Sequence, residues 1–264
     1  MSLSLSRLRR DAKALKKSHA SGEADAHERV DQILPKVTDL RHADALHVIA
    51  RENGYESWPR LKTAVEAETL DIAEKAERLK MALYLGQHWV IEELLSATPG
   101  LEHTNFGLEC ALYDVEAVKA QLARDPEAAT RIVGIRSPIL HLAFSRHVHG
   151  GGSEGDMIEV AEALINAGAN VNDTYPYPSG PDHTDPLSAL YGAIGHADNM
   201  VLGRWLLEHG ANPNDSESLY HSTELGHREG LKMLLEHGAR PEGTNALPRA
   251  LDFNDAESVR LLLE

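Results

Sequence analysis

The sequence predicts an all-α protein built from repeated helix–turn–helix pairs, and three observations lead to this fold class. The decamer LLEHGANPND at 206–215 recurs as LLEHGARPEG at 234–243, which lies 28 residues further along the chain. The apolar residues before each copy follow the i, i+3, i+4 spacing of an amphipathic helix. The sequence shows no clear pattern of β-strands. Such a repeated helical pattern is typical of a protein made of stacked units.

The same helical run recurs along most of the chain, at unequal distances. When the runs are aligned on one apolar residue each, successive reference positions are 27, 43, 42, 28 and 28 residues apart. The reference residues are Leu95, Leu122, Ile165, Leu207, Leu235 and Leu263. The 28-residue steps leave room only for tight turns between helix pairs. The long steps carry insertions near 146–156 and 174–186, which we expect to be loops.

Glycine, serine and proline mark the predicted helix ends. A glycine after an apolar run suits the left-handed position that terminates a helix, where a Cβ atom would clash. These glycines are Gly168, Gly210 and Gly238. A second set of residues lies where the first helix of a pair must turn back into the second: Gly86, Gly195, Gly226 and Asn254. Ser137-Pro138 and Asp185-Pro186 each place a capping residue before a proline, which predicts two helix starts.

These repeated segments resemble the ankyrin repeat. The stretches SPILHLA at 137–143 and DPLSAL at 185–190 are similar to its Thr-Pro-Leu-His-Leu-Ala start. The stretches LEHGANPN at 207–214 and LEHGARPE at 235–242 are similar to its Leu-Leu-x-x-Gly-Ala-Asp-x-Asn end. The resemblance covers roughly residues 72–264 and implies a solenoid of about five to six helix pairs that binds other proteins. The spacings differ from the usual repeat of about 33 residues.

Residues 1–70 do not repeat, and their pattern predicts four helices. The first covers LSRLRRDAKALKKSHA at 5–20, and Gly54 is placed to end the third. The stretch ALHVIARENGYESWPRLKTAV at 45–65 is similar to the helical segment that often precedes ankyrin arrays in bacterial proteins. We therefore expect an N-terminal helical cap domain at 1–70 that covers the open apolar end of a repeat array at 71–264.

The first helix is basic, and two interpretations of it stay open. Residues 1–20 carry six basic side chains and one acidic side chain, while Leu5, Leu8 and Leu15 share one helix face. A basic amphipathic helix can lie on an anionic membrane surface. Alternatively, its leucines pack on the N-terminal domain, and its basic side chains face solvent or the acidic remainder of the chain.

Composition limits the classes of function. The net charge is −15, which argues against nucleic-acid binding because phosphate contacts need a basic surface. It favours a partner with some positive charge. No run approaches the ~18 consecutive apolar residues of a membrane span. Cys110 is the only cysteine and cannot form an internal disulfide, so we expect a buried thiol in a cytoplasmic protein.

We expect no catalytic activity and no bound cofactor, because no nucleophile or glycine-rich phosphate loop stands out at a specific spacing. The 15 histidines are the one compositional oddity. The ankyrin resemblance implies that His141 orients the loop above its helix by a hydrogen bond. His147, His149 and His183 lie in the insertions instead. If they converged, a metal- or small-molecule-binding regulator would be the alternative function, although we expect no specific metal.

The insertion at 174–186 is a candidate binding loop. Its prolines lower the cost of ordering it on binding, and Tyr175 and Tyr177 supply contact area of the kind enriched at interfaces. Alternatively, both tyrosines fold back onto the repeats and shield the loop. We predict a module that binds another protein through the concave face and inserted loops of the array. The candidate partner-binding residues are Arg146, His147, His149, Tyr175, Tyr177, His183, Tyr191 and His221.

Overall fold

The structure is a computed structural model that describes residues 4–180 and 183–264, without the side chains of residues 179, 180 and 183. Most of the described chain is helical, so the prediction of a mainly α-helical protein is confirmed. The chain divides into two compact units. The first consists of Met1–Lys75 and Glu92–Pro99, and the second consists of Ala76–Ile91 and Gly100–Glu264.

The first unit contains the four helices that the sequence predicts for residues 1–70. They are α1 (Leu5–Ala20), α2 (Ala24–Asp31), α3 (His42–Glu52) and α4 (Trp58–Thr69). Leu8 and Leu15 of α1 are buried in a core that also contains Val48 and Ile49 of α3. The apolar face of α1 is therefore covered by its own unit. Gly54 follows α3 with φ +86°, in the left-handed conformation expected at a helix end.

The remaining helices follow in chain order. They are α5 (Ile72–Leu85), α6 (His88–Ala97), α7 (Phe106–Ala111), α8 (Val115–Arg124), α9 (Pro138–Ala143), α10 (Glu154–Asn166), α11 (Ala189–Tyr191), α12 (Met200–Glu208), α13 (Ser218–Ser222), α14 (Glu229–Glu236), α15 (Ala246–Asp252) and α16 (Ala256–Leu263). Helix α11 continues into a π-helical turn at Gly192–His196. Single turns of 3-10 helix lie at Leu101–Thr104, Pro126–Ala129 and His147–Gly150.

From α7 onward, the helices of the second unit pack as successive pairs. Each first helix contacts the second helix that follows it, and consecutive first helices contact each other. The second helices α8, α10, α12 and α14 touch in the same order. One core runs through all the pairs, from Cys110 to Leu262. Helices of six residues are not stable alone in water, so they depend on this shared core. We call the surface formed by α7, α9, α11 with its π-helical turn, α13 and α15 the first-helix face.

An asparagine joins neighbouring pairs in the same way at two places. The side-chain amide of Asn172 donates to the Gly210 carbonyl at 3.1 Å, and its Oδ1 accepts from the backbone amide two residues further on at 2.7 Å. Asn214 makes the equivalent bonds around Gly238, at 3.2 and 2.8 Å. These asparagines therefore hold successive turns in one repeated geometry, and each satisfies two backbone groups at once.

The insertion at 174–186 belongs to a β-hairpin, where the sequence predicts a loop. Strand β1 (Thr174–Gly180) pairs antiparallel with strand β2 (His183–Ser188), and Tyr175 lies opposite Leu187. The helix start predicted at Asp185-Pro186 is wrong, because both residues lie in β2 and helix α11 begins after its N-cap, Ser188. Prolines interrupt the alternating pattern of a strand, and a two-stranded hairpin tolerates them because both of its strands are edges.

The predicted turn residues have the expected backbone conformation, with one exception. Positive φ angles occur at Gly86, Gly168, Gly210, Gly226, Gly238 and Asn254. Gly195 instead lies inside the π-helical turn, and Asp198, at φ +53°, reverses the chain. A Cβ atom on Gly195 would lie 2.7 Å from the Tyr191 ring and 2.8 Å from His221 Cβ. Close packing therefore explains the glycine at this position. The helix start predicted at Ser137-Pro138 is confirmed.

The segment that the sequence predicts as the first repeat is divided between the two units. Ala76–Ile91, which contains most of α5, belongs to the second unit, whereas Glu92–Pro99 belongs to the first unit. The succession of packed pairs therefore begins with α7 and α8. Within the second unit, the end of α5 contacts residues far along the chain.

Candidate functional site

The end of α5 packs against the C-terminal ends of two first helices. The backbone amide of Arg146, just beyond α9, donates to the Leu83 carbonyl at 3.0 Å. His196, at the end of the π-helical turn, donates from Nε2 to the Tyr84 carbonyl at 2.9 Å. The rings of Tyr84 and His196 stack with their centroids 3.9 Å apart. The end of α5 therefore lies on the first-helix face, against α9 and the π-helical turn.

A cavity of about 470 Å³ lies beside α5 on this face. Its size falls within the range of about 300–1,000 Å³ that is typical of ligand sites. Its walls come from α5, the turn at 133–136, α9 and strand β1. The residues that carry its chemistry are Met81, Tyr84, Ile135, Arg136, Phe144, Tyr175 and Tyr177. Aromatic and aliphatic side chains predominate, so the cavity is an apolar site with a few polar groups.

Arg136 is the central polar group of the cavity. Its guanidinium carbon lies 4.8 Å from the ring centroid of Tyr84, 4.6 Å from that of Phe144 and 4.4 Å from that of Tyr175. Its Nη2 donates to the Tyr175 hydroxyl at 2.7 Å. Its Nε is buried and has no hydrogen-bond partner in the described part of the chain. Three aromatic faces therefore stabilise a cation that no carboxylate of the described chain neutralises.

Histidine 141 holds the turn that carries Arg136. Its Nε2–H donates to the Val133 carbonyl at 2.9 Å, which confirms the loop-orienting hydrogen bond expected at this position. Burial lowers the pKa of His141 to about 4, so the ring is neutral near pH 7. Val133 and Arg136 also form an isolated antiparallel bridge. The turn at 133–136 is therefore closed by its own bridge, and His141 bonds its Val133 end to α9.

Large apolar side chains stand exposed around the mouth of the cavity. The exposed fractions are 51% for Met81, 68% for Ile135 and 49% for Tyr177, and all three residues line the cavity. Ile132, on the same connection, is 67% exposed. Lys80 and Glu77, which also line the cavity, form an ion pair of 2.6 Å with each other. The mouth is therefore an apolar rim with one locally neutralised pair of charges.

Tyr175 and Tyr177, two of the candidate partner-binding residues, lie on strand β1, and each fits a different one of the two alternatives predicted for the insertion. Tyr175 is buried, packs edge-on against Phe144 at 5.3 Å and accepts the hydrogen bond from Arg136. Tyr177 is half exposed at the rim. One tyrosine therefore folds back onto the second unit while the other remains accessible, and both line the same cavity.

Two other candidates, Arg146 and His149, make hydrogen bonds to backbone carbonyls. Arg146 donates from Nε to the His196 carbonyl at 3.0 Å and also from Nη2 to the same oxygen. His149 donates from Nε2 to the Ala197 carbonyl at 2.6 Å. Both side chains therefore connect the loop after α9 to the end of the π-helical turn. Their role as partner-binding residues stays a prediction.

The remaining candidates are spread over the second unit. His147 packs against Tyr113 with centroids 5.2 Å apart, and burial lowers its pKa. Tyr191 packs against Phe144 at 5.8 Å and His221 at 4.9 Å, and burial raises its pKa to about 12. His221 also bonds Glu224 at 2.7 Å. The side chain of His183 lies outside the described part of the chain.

The structure also bears on metal binding and on nucleophilic chemistry. Among the described side chains, no group of three His, Cys, Asp or Glu residues is placed to hold a metal ion. Cys110 is fully buried, as the sequence predicts, and burial raises the pKa of its thiol well above the usual range. A thiol in this state is a poor nucleophile. No helix within the described ranges is both long and apolar enough to cross a membrane.

Sequence reasoning did not identify Tyr84, Arg136, Phe144, Met81 or Ile135 as site residues. Tyr84 lies just before the turn predicted at Gly86, and Arg136 lies in a connection without a motif. The one available signal is the run RIVGIR at 131–136, which puts two isoleucines into a connection where polar residues are usual. Exposed isoleucines in a short turn favour an interaction surface.

No protein-family model matches this chain, and no curated protein is similar enough to it to suggest a function.

Proposed function

We propose that this chain is a non-catalytic protein-binding module whose second unit is an ankyrin-type solenoid. Three features support the solenoid: the helix pairs pack in chain order, the asparagine bonds repeat from pair to pair, and His141 bonds the turn before its helix. Each of these features follows from stacking similar helix pairs. The partner is another protein, and nucleic acid is disfavoured because the net charge is −15.

The apolar rim of the cavity is the observation that carries the binding function. Met81, Ile135 and Tyr177 come from three separate elements, yet all line one cavity while keeping about half or more of their surface exposed. Exposed apolar patches of this kind usually mark interaction sites. Bulky side chains around a concave centre also provide the anchors from which protein interfaces gain most of their binding energy.

Absence of catalysis is part of the same proposal. Cys110 is inaccessible, and the histidines His141, His149 and His196 are each engaged with a backbone carbonyl. These hydrogen bonds give the three histidines a structural role in holding the fold. The polar groups near the cavity are therefore suited to recognition.

The test compares binding by matched surface variants. The rim variant carries Ile135→Asp and Tyr177→Asp, and the control variant carries Leu251→Asp and Leu263→Asp, two residues that are 58% and 68% exposed elsewhere. Proteins captured from a lysate of the source organism by the wild type are identified by quantitative mass spectrometry. The best candidate is then purified, and its Kd is measured by isothermal titration calorimetry with all three proteins.

The proposal predicts that the rim variant weakens binding of the purified partner by at least about tenfold, which corresponds to roughly 1.4 kcal/mol. The control variant should bind like the wild type. Equal affinity for all three proteins would show that the rim is not the interface. Circular dichroism of each variant verifies that the helices are retained.

A further inference from the structure

We propose that the cavity recognises the C-terminal residue of a partner protein, with an apolar side chain in the cavity and its carboxylate on Arg136. This inference rests on the proposed function, because it names the chemistry by which a protein partner is held. Binding in this way requires both a negative charge and an apolar side chain on one residue of the partner.

The guanidinium of Arg136 is placed to bind an anion. Arg136 is only partly buried, lines the cavity and has no carboxylate partner in the described chain. Tyr175 accepts its hydrogen bond from Arg136 and therefore keeps its own hydroxyl hydrogen for another acceptor. A guanidinium presents planar N–H groups that suit a carboxylate, and hydrogen bonds between charged groups are about twice as strong as neutral ones.

The other charges of the cavity do not provide an equivalent anchor. Lys80 is paired with Glu77 at 2.6 Å, so their charges offset each other. The chain as a whole carries a net charge of −15, which disfavours anionic ligands elsewhere on the surface. Arg136 is thus the cation within this cavity that a carboxylate can neutralise.

The apolar walls select what is attached to the carboxylate. Tyr84, Phe144 and Tyr175 surround the guanidinium, while Met81 and Ile135 extend the apolar surface towards the mouth. Aspartate and glutamate carry a carboxylate but no apolar side chain. In a protein partner, only the C-terminal residue combines a free backbone carboxylate with an apolar side chain such as that of leucine. The cavity therefore fits the C-terminal end of a partner chain.

The first experiment uses four N-acetylated tetrapeptides with the wild-type chain. They are Ala-Ala-Ala-Leu with a free carboxylate, the same peptide with a C-terminal amide, Ala-Ala-Ala-Gly with a free carboxylate, and Ala-Ala-Ala-Glu with a C-terminal amide. The ¹³C-labelled methionine methyl groups report binding by NMR, because Met81 lines the cavity while Met157 and Met233 are buried in the core.

The proposal predicts that the leucine acid shifts the Met81 methyl signal and leaves the Met157 and Met233 signals in place. The leucine amide, the glycine acid and the glutamate amide should each bind at least about tenfold more weakly, because each lacks one of the two required features. Equal binding of the leucine acid and amide would overturn the role of the carboxylate. Preference for the glutamate amide would overturn the assignment to a chain end.

Two arginines in the same connection provide a matched pair of variants. Arg136→Gln removes the cavity cation, whereas Arg131→Gln removes an exposed arginine that pairs with Asp125 at 2.7 Å and does not line the cavity. We expect Arg136→Gln to weaken binding of the leucine acid by at least about tenfold. Arg131→Gln should leave the affinity for this peptide unchanged. Equal effects of the two variants would contradict the assignment of Arg136.

Failure of this inference is distinguishable from failure of the proposed function. One outcome is that binding of the purified partner requires the rim residues and yet persists after the partner's C-terminal carboxylate is amidated. In that case the protein-binding function stands and the chain-end assignment is wrong. If none of the four peptides shifts the Met81 signal, the cavity does not recognise a C-terminal residue, whatever the rim binds.

Discussion

The imidazole of His196 donates a 2.9 Å hydrogen bond to the carbonyl of Tyr84, a residue 112 positions earlier in the chain. The two rings also stack, and Arg136 lies over the Tyr84 ring at 4.8 Å. The bond therefore connects the placement of α5 to the wall of the candidate site. Burial lowers the pKa of His196 to about 4, so the ring is neutral near pH 7.

Replacing His196 should loosen α5 from the first-helix face. We expect His196→Ala to lower the free energy of unfolding by about 1–3 kcal/mol, because the Tyr84 carbonyl loses its donor and the stacking contact disappears. The backbone amides around Tyr84 should exchange hydrogen for deuterium faster than in the wild type, as measured by mass spectrometry. His227→Ala is the matched control, since His227 is 41% exposed and bonds Asp198. Similar effects of the two variants would refute a special role for His196.

Stability should fall as the pH decreases from about 6.5 towards 4. His141 and His196 have pKa values lowered by burial to about 4, whereas an unfolded histidine has a pKa of about 6.5. Between these values the unfolded chain binds protons that the folded chain does not, so the stabilisation is complete above pH 6.5 and is lost on acidification. Urea unfolding measures the free energy of unfolding at pH 7 and at pH 4.5. The loss between these two pH values should be smaller for His141→Gln than for the wild type, by up to about 3 kcal/mol.

The two asparagine connections should contribute similarly. Asn172→Ala and Asn214→Ala each remove bonds of nearly the same length to a glycine carbonyl and a backbone amide. We expect each to cost about 1–2 kcal/mol and the double variant to cost nearly the sum, because the two asparagines bond different backbone groups. Thermal unfolding gives the comparison. A large difference between the single variants would contradict the equivalence of the two connections.

A methyl group at Gly192 should disturb the cavity wall. A Cβ atom there would lie 2.6 Å from two ring carbons of Phe144, whose side chain is fully buried and cannot move aside. We expect Gly192→Ala to destabilise the chain by about 1–3 kcal/mol through overpacking. Gly155→Ala, in α10, is the control, because its Cβ would meet only Ser153 Oγ at an ordinary 3.6 Å. Urea unfolding should leave that control at least as stable as the wild type.

The single thiol should be silent in the folded protein. Cys110 is fully buried and burial raises its pKa, so a thiol reagent at pH 8 should label it only as the chain unfolds. Val201→Cys adds a thiol at a position that is 40% exposed, and this variant should label one cysteine at once. Rapid labelling of Cys110 in the wild type would contradict the burial of the α7 core.

Local patterns in the sequence were sufficient for the helices of the first unit and for most of the helix ends in the second. Gly168 and Gly210 end helices because the left-handed conformation is inexpensive only for glycine. His141 was assigned its hydrogen bond from a local resemblance, and the bond is present. Such features depend on a few neighbouring residues, so a short stretch of sequence contains the physical cause.

The β-hairpin and the position of α5 depend on contacts between distant parts of the chain. The prolines of the hairpin interrupt the alternating apolar and polar pattern by which a strand is recognised. The hydrogen bonds that stabilise the hairpin form between its two strands, and no local pattern indicates them. Helix α5 has an ordinary amphipathic sequence, and nothing local distinguishes packing within a pair from packing across α9. Its position follows from Tyr84, Arg146 and His196 meeting in space.

The candidate site shows the same division most clearly. Tyr177 was identified from its residue type and its place in an insertion. An exposed tyrosine offers contact area for binding at any surface position. Arg136 and Phe144 acquire their role from three aromatic rings that converge on one guanidinium from different elements. The sequence alone thus specified where most of the helices begin and end. Long-range packing specified which side chains share a cavity, because that depends on distances between elements and not on any one element.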